Sequence, residues 1–479
     1  MIHLRMKWKG WLLLSLVAFT RPATAQTDLQ YWSHQYGAKG LLLNGAVIAS
    51  TEDETAIFYN PGALGLDEEF GLSLSFLTPS FRTLNVDNLL GDGSSLADRD
   101  FGLTPGLAAA HFRLFKSPFI STAVTTFTRF RTGLSFRDRI VSPVTDSEDL
   151  LFVGSVDFEK RISERWVGLG FAYRISPVFS VGLSQFLTIH SNKYRLDFQK
   201  EIVDRQDPAR LLYTFDSNLS YNFSYRIGQV TKLGLAWQPG NWKLGLTFTS
   251  PTYLVRWTSA SYRLRELRRT HPDSLQLHEL YSDSAQLRVK TPLSIGFGAD
   301  FRLGLSRVSI ALEYFKNVPP FTFLEDDNDP YDGLSQPPRE EHFALRVANK
   351  AVLNVALGFQ RELNERTTLL WGIRTDFNQK RELEGNGNLS FLGITPSAIH
   401  LSFGGFFHLW KNQFSLGLDF AYGLRQNRPQ LVNLRNITPD NLFDLETKFN
   451  VDTRLQVWTL VFTYDFIFKT IRERRNGKG

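Results

Sequence analysis

The chain has 479 residues, rich in Phe (40), Tyr (15) and Trp (10), yet it is slightly polar on average. Its formal charge of +6 is concentrated at the ends: four basic residues in the first 25 and a net +4 in the last eleven leave the stretch between them slightly acidic. That excludes a basic nucleic-acid face, and the absence of cysteine excludes disulfides, thiol chemistry and lipoprotein attachment.

The first segment is a leader. Arg5, Lys7 and Lys9 make a positive start, Trp11 to Thr20 an apolar run, and Ala23-Thr24-Ala25 an A-x-A cleavage site before Gln26. The run is too short to span a bilayer, so residues 1–25 are expected to be a secretory signal peptide. Residues 26–66 follow, small, apolar and turn-forming. They end in "ETAIFYNPGALGL", where Asn60-Pro61-Gly62 breaks any helix or central strand.

From there the period is two. "NWKLGLTFTS" places Trp242, Leu244, Leu246 and Phe248 on one face, and "NQFSLGLDFAY" places Phe414, Leu416, Leu418, Phe420 and Tyr422 on one face with Ser415, Gly417, Asp419 and Ala421 on the other. The second face is small or polar, which suits a wet lumen. Short breaks at 115–118, 175–177, 239–241, 302–305, 363–365 and 411–412 alternate with long polar stretches at 79–104, 131–159, 196–217, 258–284, 318–341, 380–393 and 425–450. Tight turns alternating with long loops predict an outer-membrane barrel of fourteen antiparallel strands over 67–468. Residues 150–159 are read as loop or as an extension of the fourth strand, because single-chain bacterial barrels close on an even number. Such a cylinder is roughly 28 Å across, wide enough to leak, and residues 26–66 are the available plug. The basic tail 469–479 is expected in the periplasm.

The hatch segment carries a family resemblance. "YGAKGLLLNGAVIASTEDETAIFYNPGALG" (36–65) resembles the N-terminal hatch of FadL-type outer-membrane transporters of long-chain fatty acids and aromatic hydrocarbons. Gly37, Gly40 and Gly45 match its small positions, Asp53-Glu54 its acidic pair and Asn60-Pro61 its signature; Gly62 stands where the family usually has alanine. Weaker echoes run through 168–183, 234–251 and 290–303. The resemblance implies an all-β transmembrane barrel with a small hatch inside the lumen, located in the cell outer membrane. It implies passive uptake of a hydrophobic small molecule, with Asp53, Glu54, Phe58, Tyr59, Asn60, Pro61 and Gly62 in the hatch or gate. Outer-membrane lipid and the barrel-assembly machinery are the other expected partners. A partner-binding barrel of a secretion or surface-assembly system on the same fold is the alternative, and the large loops and basic tail suit it.

Other chemistry is not signalled. There is no H-x-x-x-H, G-x-S-x-G or P-loop lysine motif, so no metal, cofactor, catalytic residue or enzyme is expected. His400, His408 and Ser415 share a hairpin, where a lumen or girdle role outweighs a catalytic one. "GFGADFRLG" (296–304) lacks a following helix, so its glycines read as small residues on a crowded wall. The acidic "FLEDDNDPYDG" (323–333) does not match a calcium loop. If the tenth and eleventh strands meet near Leu363–Glu365, paired numbers sum to about 726, which sets Lys350 near Asp376 with Arg374 on the same inward face. Lys350 and Arg374 are therefore candidate ligand-headgroup cations, against a lumen salt-bridge network as the plainer reading.

Overall fold

The computed structural model describes residues 30–468, apart from 33, 52, 68–69, 75–77, 105–106, 114–116, 146, 258, 272–273, 326–343, 382–395, 410–411 and 445–447. Among the described residues the alternating segments form one antiparallel sheet, whose ladder segments join end to end into fourteen strands. These are β1 (Phe70–Leu74 and Thr78–Asp87), β2 (Ser95–Thr104 and Leu107–Arg113), β3 (Ile120–Val144), β4 (Ser147–Ser176), β5 (Phe179–Asp204) and β6 (Leu211–Trp237). They continue with β7 (Trp242–Thr249, Tyr253–Trp257 and Ala260–His271), β8 (Ser274–Leu287 and Ser294–Leu303), β9 (Ser306–Phe315 and Val318–Glu325) and β10 (Ala344–Asn349 and Val352–Asn364). The last are β11 (Thr367–Asp376 and Lys380–Arg381), β12 (Ala398–Leu409), β13 (Asn412–Pro429) and β14 (Phe449–Phe468). Each strand pairs with the next, and β14 returns to β1 through Ser80↔Thr459 and Gly71↔Ile467, which closes the barrel. No described helix is long and apolar enough to cross a membrane.

Two short turns are made by glycine in the left-handed region, Gly240 and Gly304, both at φ 60°. Above these turns the wall carries an outward apolar belt: Val167, Leu169, Phe171 and Tyr173 on β4, Leu183, Leu187 and Ile189 on β5, and Leu416, Leu418 and Tyr422 on β13 are all exposed. Their inward neighbours are small or polar, as with Ser180, Ser184 and Ser415, each fully buried. This is the polarity of a wall whose outer face meets lipid.

Further from the turns the polarity reverses. On β4 Phe152, Val156 and Phe158 point inward and are buried, while Arg161 and Arg165 point outward. Much of what the sequence reading assigned to external loops at 79–104, 131–159, 196–217 and 258–284 is therefore wall. Residues 150–159 extend β4, with Val153 paired to Val141 and to Glu201. The inward aromatics of this upper wall pack against Leu89, Leu90, Leu431, Leu434 and Leu442, so that segments 88–94 and 430–444 cap the long-loop end of the barrel. Leu431 and Leu434 donate backbone bonds to Leu89 (3.0 Å) and Leu90 (2.9 Å), which pins the two cap segments together. Most of the acidic stretch 323–333 falls outside the described residues.

Residues 30–66 lie inside the barrel at the short-turn end, folded as α1 (Gly37–Leu42), α2 (Ala56–Tyr59) and a 3-10 turn (Ala63–Gly65). Leu42, Leu43, Ile57 and Leu64 are fully buried, and each such burial is worth roughly 1.5–3 kcal/mol.

Candidate functional site

The hatch is held by a seat of wall glycines. A Cβ on Gly182 would stand 2.2 Å from the Pro61 carbonyl carbon, and one on Gly234 2.2 Å from Asn60 Oδ1. On Gly245 it would reach Ile48 O at 2.4 Å, on Gly298 Ala49 N at 2.6 Å, on Gly372 Leu43 C at 2.5 Å and on Gly417 Leu42 Cδ2 at 2.4 Å. Six glycines on β5, β6, β7, β8, β11 and β13 thus bring wall backbone against hatch backbone or side chains, at positions that admit no larger residue without movement. The echoes at 168–183, 234–251 and 290–303 contain four of these six glycines.

The predicted hatch residues divide by role. Asn60 is fully buried; its amide donates to Ile48 O (3.0 Å) and Leu235 O (2.9 Å), and its Oδ1 accepts the Gly62 N–H (3.0 Å). One side chain therefore ties the hatch to itself and to β6. Backbone conformation does not require glycine at Gly62: its φ is −61°, open to any residue, and what demands glycine is Gly234 O, 2.8 Å from where its Cβ would be. Ser180 donates to Gly62 O, which fixes the turn to β5. Tyr59 Oη accepts the Tyr36 N–H (2.7 Å) and covers Gly40, so the two helices lock. Asp53 Oδ1 accepts the Thr55 N–H (2.9 Å) and opens the turn into α2; Glu54 sits half-buried beside it.

Phe58 faces a cavity between hatch and wall. Its ring meets Tyr36 (5.0 Å), Phe127 (5.2 Å) and Trp166 (6.4 Å), with Lys232 Nζ at 5.1 Å and the Arg129 guanidinium at 5.8 Å from the ring centre. Tyr31, Trp32, Phe130 and Phe315 complete an apolar lining around a space of about 70 Å³. Several of its polar groups are engaged. Trp32 Nε1 (2.5 Å) and Ser294 Oγ (2.6 Å) donate to Glu313, and Trp166 Nε1 donates to Glu164 at 2.9 Å. Gln30, His34, Gln35 and Phe130 line both this space and a partly polar chamber of about 1160 Å³ beyond it, so Gln30, His34 and Gln35 form the partition.

The predicted cations part company on the chamber wall. Arg374 faces the lumen, 2% exposed, whereas Lys350 is exposed. The register is Ala356↔Arg374 and Leu357↔Ile373, so paired numbers sum to 730 and not 726, and Lys350 does not oppose Asp376. Arg374 Nη2 lies 2.8 Å from His400 Nδ1, which is 3.4 Å from Asp419 Oδ2; His400 Nε2 is 3.9 Å from Asp376 Oδ2. The arrangement is a lumen charge network that includes Asp376 and Asp419. Arg374→Ala is expected to destabilise the barrel by about 3 kcal/mol, since it strands two carboxylates, while leaving hydrophobic ligand binding intact. Thermal unfolding measured alongside ligand titration checks this; lost binding at an unchanged melting temperature would return Arg374 to a headgroup role. Ser415 shares its hydroxyl with Thr463 and is not hydrogen-bonded to His400 or His408 among the described residues.

One feature of the wall had no signal in the sequence, because both its edges fell in stretches read as loop. The β2–β3 ladder stops at Leu107↔Phe127. Beyond it, among the described residues, Ser95–Thr104 pairs with β1 alone and Phe130–Val144 with β4 alone. A bulge between Thr128 and Phe130 bends β3 here and turns Arg129 inward to donate to Tyr31 O. Arg82 spans the resulting seam from inside: its Nη2 lies 2.8 Å from Asp98 and 3.6 Å from Asp100 on β2, and donates to Gly133 O on β3 at 2.7 Å. The chamber reaches through this seam, for its lining includes outward Phe101, Arg131 and Gly133 as well as inward Arg374 and His400.

No family model matches the chain, and no curated protein does. Solved structures do. A Pseudomonas aeruginosa FadL homologue aligns over 92% of this chain and 100% of its own at TM-score 0.58 and 10% identity. The Pseudomonas putida toluene transporter TodX aligns over 92% and 99% at TM-score 0.56 and 13% identity, and its deltaS2S3 mutant, a monoaromatic hydrocarbon channel, over 91% and 99% at TM-score 0.58. The fold is thus a hatch-plugged β-barrel, and in particular that of the FadL-type channels.

Proposed function

We propose that the protein is a passive outer-membrane channel for hydrophobic small molecules, monoaromatic hydrocarbons or long-chain fatty acids. The observation that carries this reading is the aromatic cavity between hatch and wall, one partition away from a chamber that opens sideways through the seam. The outward apolar belt supports a membrane setting, and the fold shared with a toluene transporter and a FadL homologue supports this class of cargo. The short turns then face the periplasm, and cargo enters past the apolar cap.

A cavity of about 70 Å³ holds a few waters and not yet a cargo. Entry therefore displaces the partition of Gln30, His34 and Gln35, and the two spaces merge. Exit through the seam delivers the cargo to the bilayer edge, where a hydrophobic molecule is at home. Asp53 to Gly62 anchor the hatch while the partition moves; no energy-coupling motif is visible in the sequence near the N-terminus.

The test is flux of labelled toluene and oleate into proteoliposomes. Saturable flux above protein-free vesicles, reduced in Phe58→Ala, is expected. A correctly folded, inserted barrel with no flux would overturn the reading, and a stable complex in a native pull-down would then favour the partner-binding alternative.

A further inference from the structure

A cluster of cations sits on the outer face of the wall, beside the mouth of the seam. On β4 the outward run Tyr173, Phe171, Leu169, Val167 is exposed and apolar and then gives way to Arg165 and Arg161; on β5 the run Leu187, Ile189 gives way to Lys193. The change falls at one height, because Arg165 pairs with Ile189 and Arg161 with Lys193. Arg131 of β3, whose neighbour Thr132 pairs with Ile162, joins them from the seam side. The wall is bulged here on β3 between Thr128 and Phe130 and again at the β5–β6 pairing between His190 and Asn192. Arg131, Arg161, Arg165 and Lys193 all line the outer reach of the chamber.

The charge is not balanced. Glu159 takes Arg161 at 2.8 Å and Lys193 at 2.7 Å, so one carboxylate serves two cations. Arg131 and Arg165 have no acidic partner among the described residues. Four outward cations around one carboxylate, placed where an apolar belt ends, present excess positive charge at headgroup height. Guanidinium forks suit phosphate oxygens in pairs, and juxtamembrane basic clusters draw anionic lipid.

We propose that Arg131, Arg161, Arg165 and Lys193 form a binding site for a phosphorylated lipid headgroup of the surrounding membrane. The acyl chains lie on Val167, Leu169, Leu187 and Ile189, and the phosphate rests between Arg131 and Arg165. This lipid stands at the seam and borders the route on which cargo leaves. The inference rests on the membrane-channel reading but concerns the wall's own lipid and not the cargo.

The experiment uses the full barrel, purified in neutral detergent, with bis-phosphorylated lipid A, dephosphorylated lipid A and inorganic phosphate as probes, read by native mass spectrometry. The wild type is expected to retain about one bis-phosphorylated lipid through this cluster, to discriminate against the dephosphorylated form, and to keep its lipid in excess inorganic phosphate. Arg131→Glu with Arg165→Glu is expected to lower apparent affinity at least about tenfold, while Arg263→Glu, an outward arginine on β7, leaves it unchanged. Equal retention by the double variant and wild type, or equal retention of the dephosphorylated lipid, overturns the site. Displacement by inorganic phosphate shows a phosphate-ion site and overturns the lipid assignment. Heat-modifiable migration confirms that each variant is folded. Failure of the wild type to insert into liposomes would sink the membrane reading itself, whereas insertion without lipid preference sinks only this proposal.

Discussion

Unseating the hatch is expected to turn a plugged barrel into a conducting one. Removal of residues 27–60 takes out both helices and Asn60, yet touches none of the ladders that close β1 to β14. The glycine seat is left facing water. Single-channel conductance in planar bilayers should rise on the order of tenfold, since a fourteen-stranded bore of roughly 28 Å no longer has a filling. A point variant gives the same result with the chain intact. Gly182→Val places a side chain where its Cβ would already be 2.2 Å from the Pro61 backbone, an overpacking worth roughly 1–3 kcal/mol that the hatch, not the closed wall, absorbs. Unchanged conductance in both proteins would mean that the seal is the cap of segments 88–94 and 430–444.

Closing the seam is expected to abolish flux while leaving hatch and barrel in place. The chain has no cysteine, so a pair introduced on the two edges reacts alone. Phe101 on β2 is 60% exposed, and a Cβ at Gly133 on β3 meets nothing within 4 Å, so both positions accept a thiol. With Phe101→Cys and Gly133→Cys joined by a short bis-methanethiosulfonate, toluene and oleate flux should fall about tenfold or more and return on reduction, because the seam is the way out to the bilayer edge. Full flux in the cross-linked protein would direct cargo through the short-turn end instead. Arg82 already bridges this gap by a single side chain, with Asp98 and Asp100 holding its charge.

The expected strands lay in the belt, where alternation carries an outward apolar face, and all fourteen are present there. The same alternation continues above the belt with the opposite phase. Phe152, Phe158, Tyr194 and Phe198 point inward where Val167 and Leu169 point outward. Read against a single expected polarity, the reversed stretches looked like polar loops. The hatch motif was legible down to Asn60, because a buried amide followed by proline is a local feature with a local consequence. The reason for Gly62 was not, since the atom that excludes a side chain there belongs to Gly234.

The sequence by itself determined the elements whose causes are local. Period-two alternation made strands, the breaks made turns, and their even count made a cylinder needing a plug. The tertiary structure alone decided what depends on pairing between distant segments. The four-number error between β10 and β11 shows why. The turn at Asn364 to Thr367 and an irregularity between Glu362 and Asn364 shift the register in a run whose one apolar residue, Leu363, is exposed, and that shift parts Lys350 from Asp376. The seam is a ladder that fails to form between Ser95–Thr104 and Phe130–Val144. Neither strand is unusual alone; only closure of the whole barrel, with β3 bent at its bulge, sets those two edges apart.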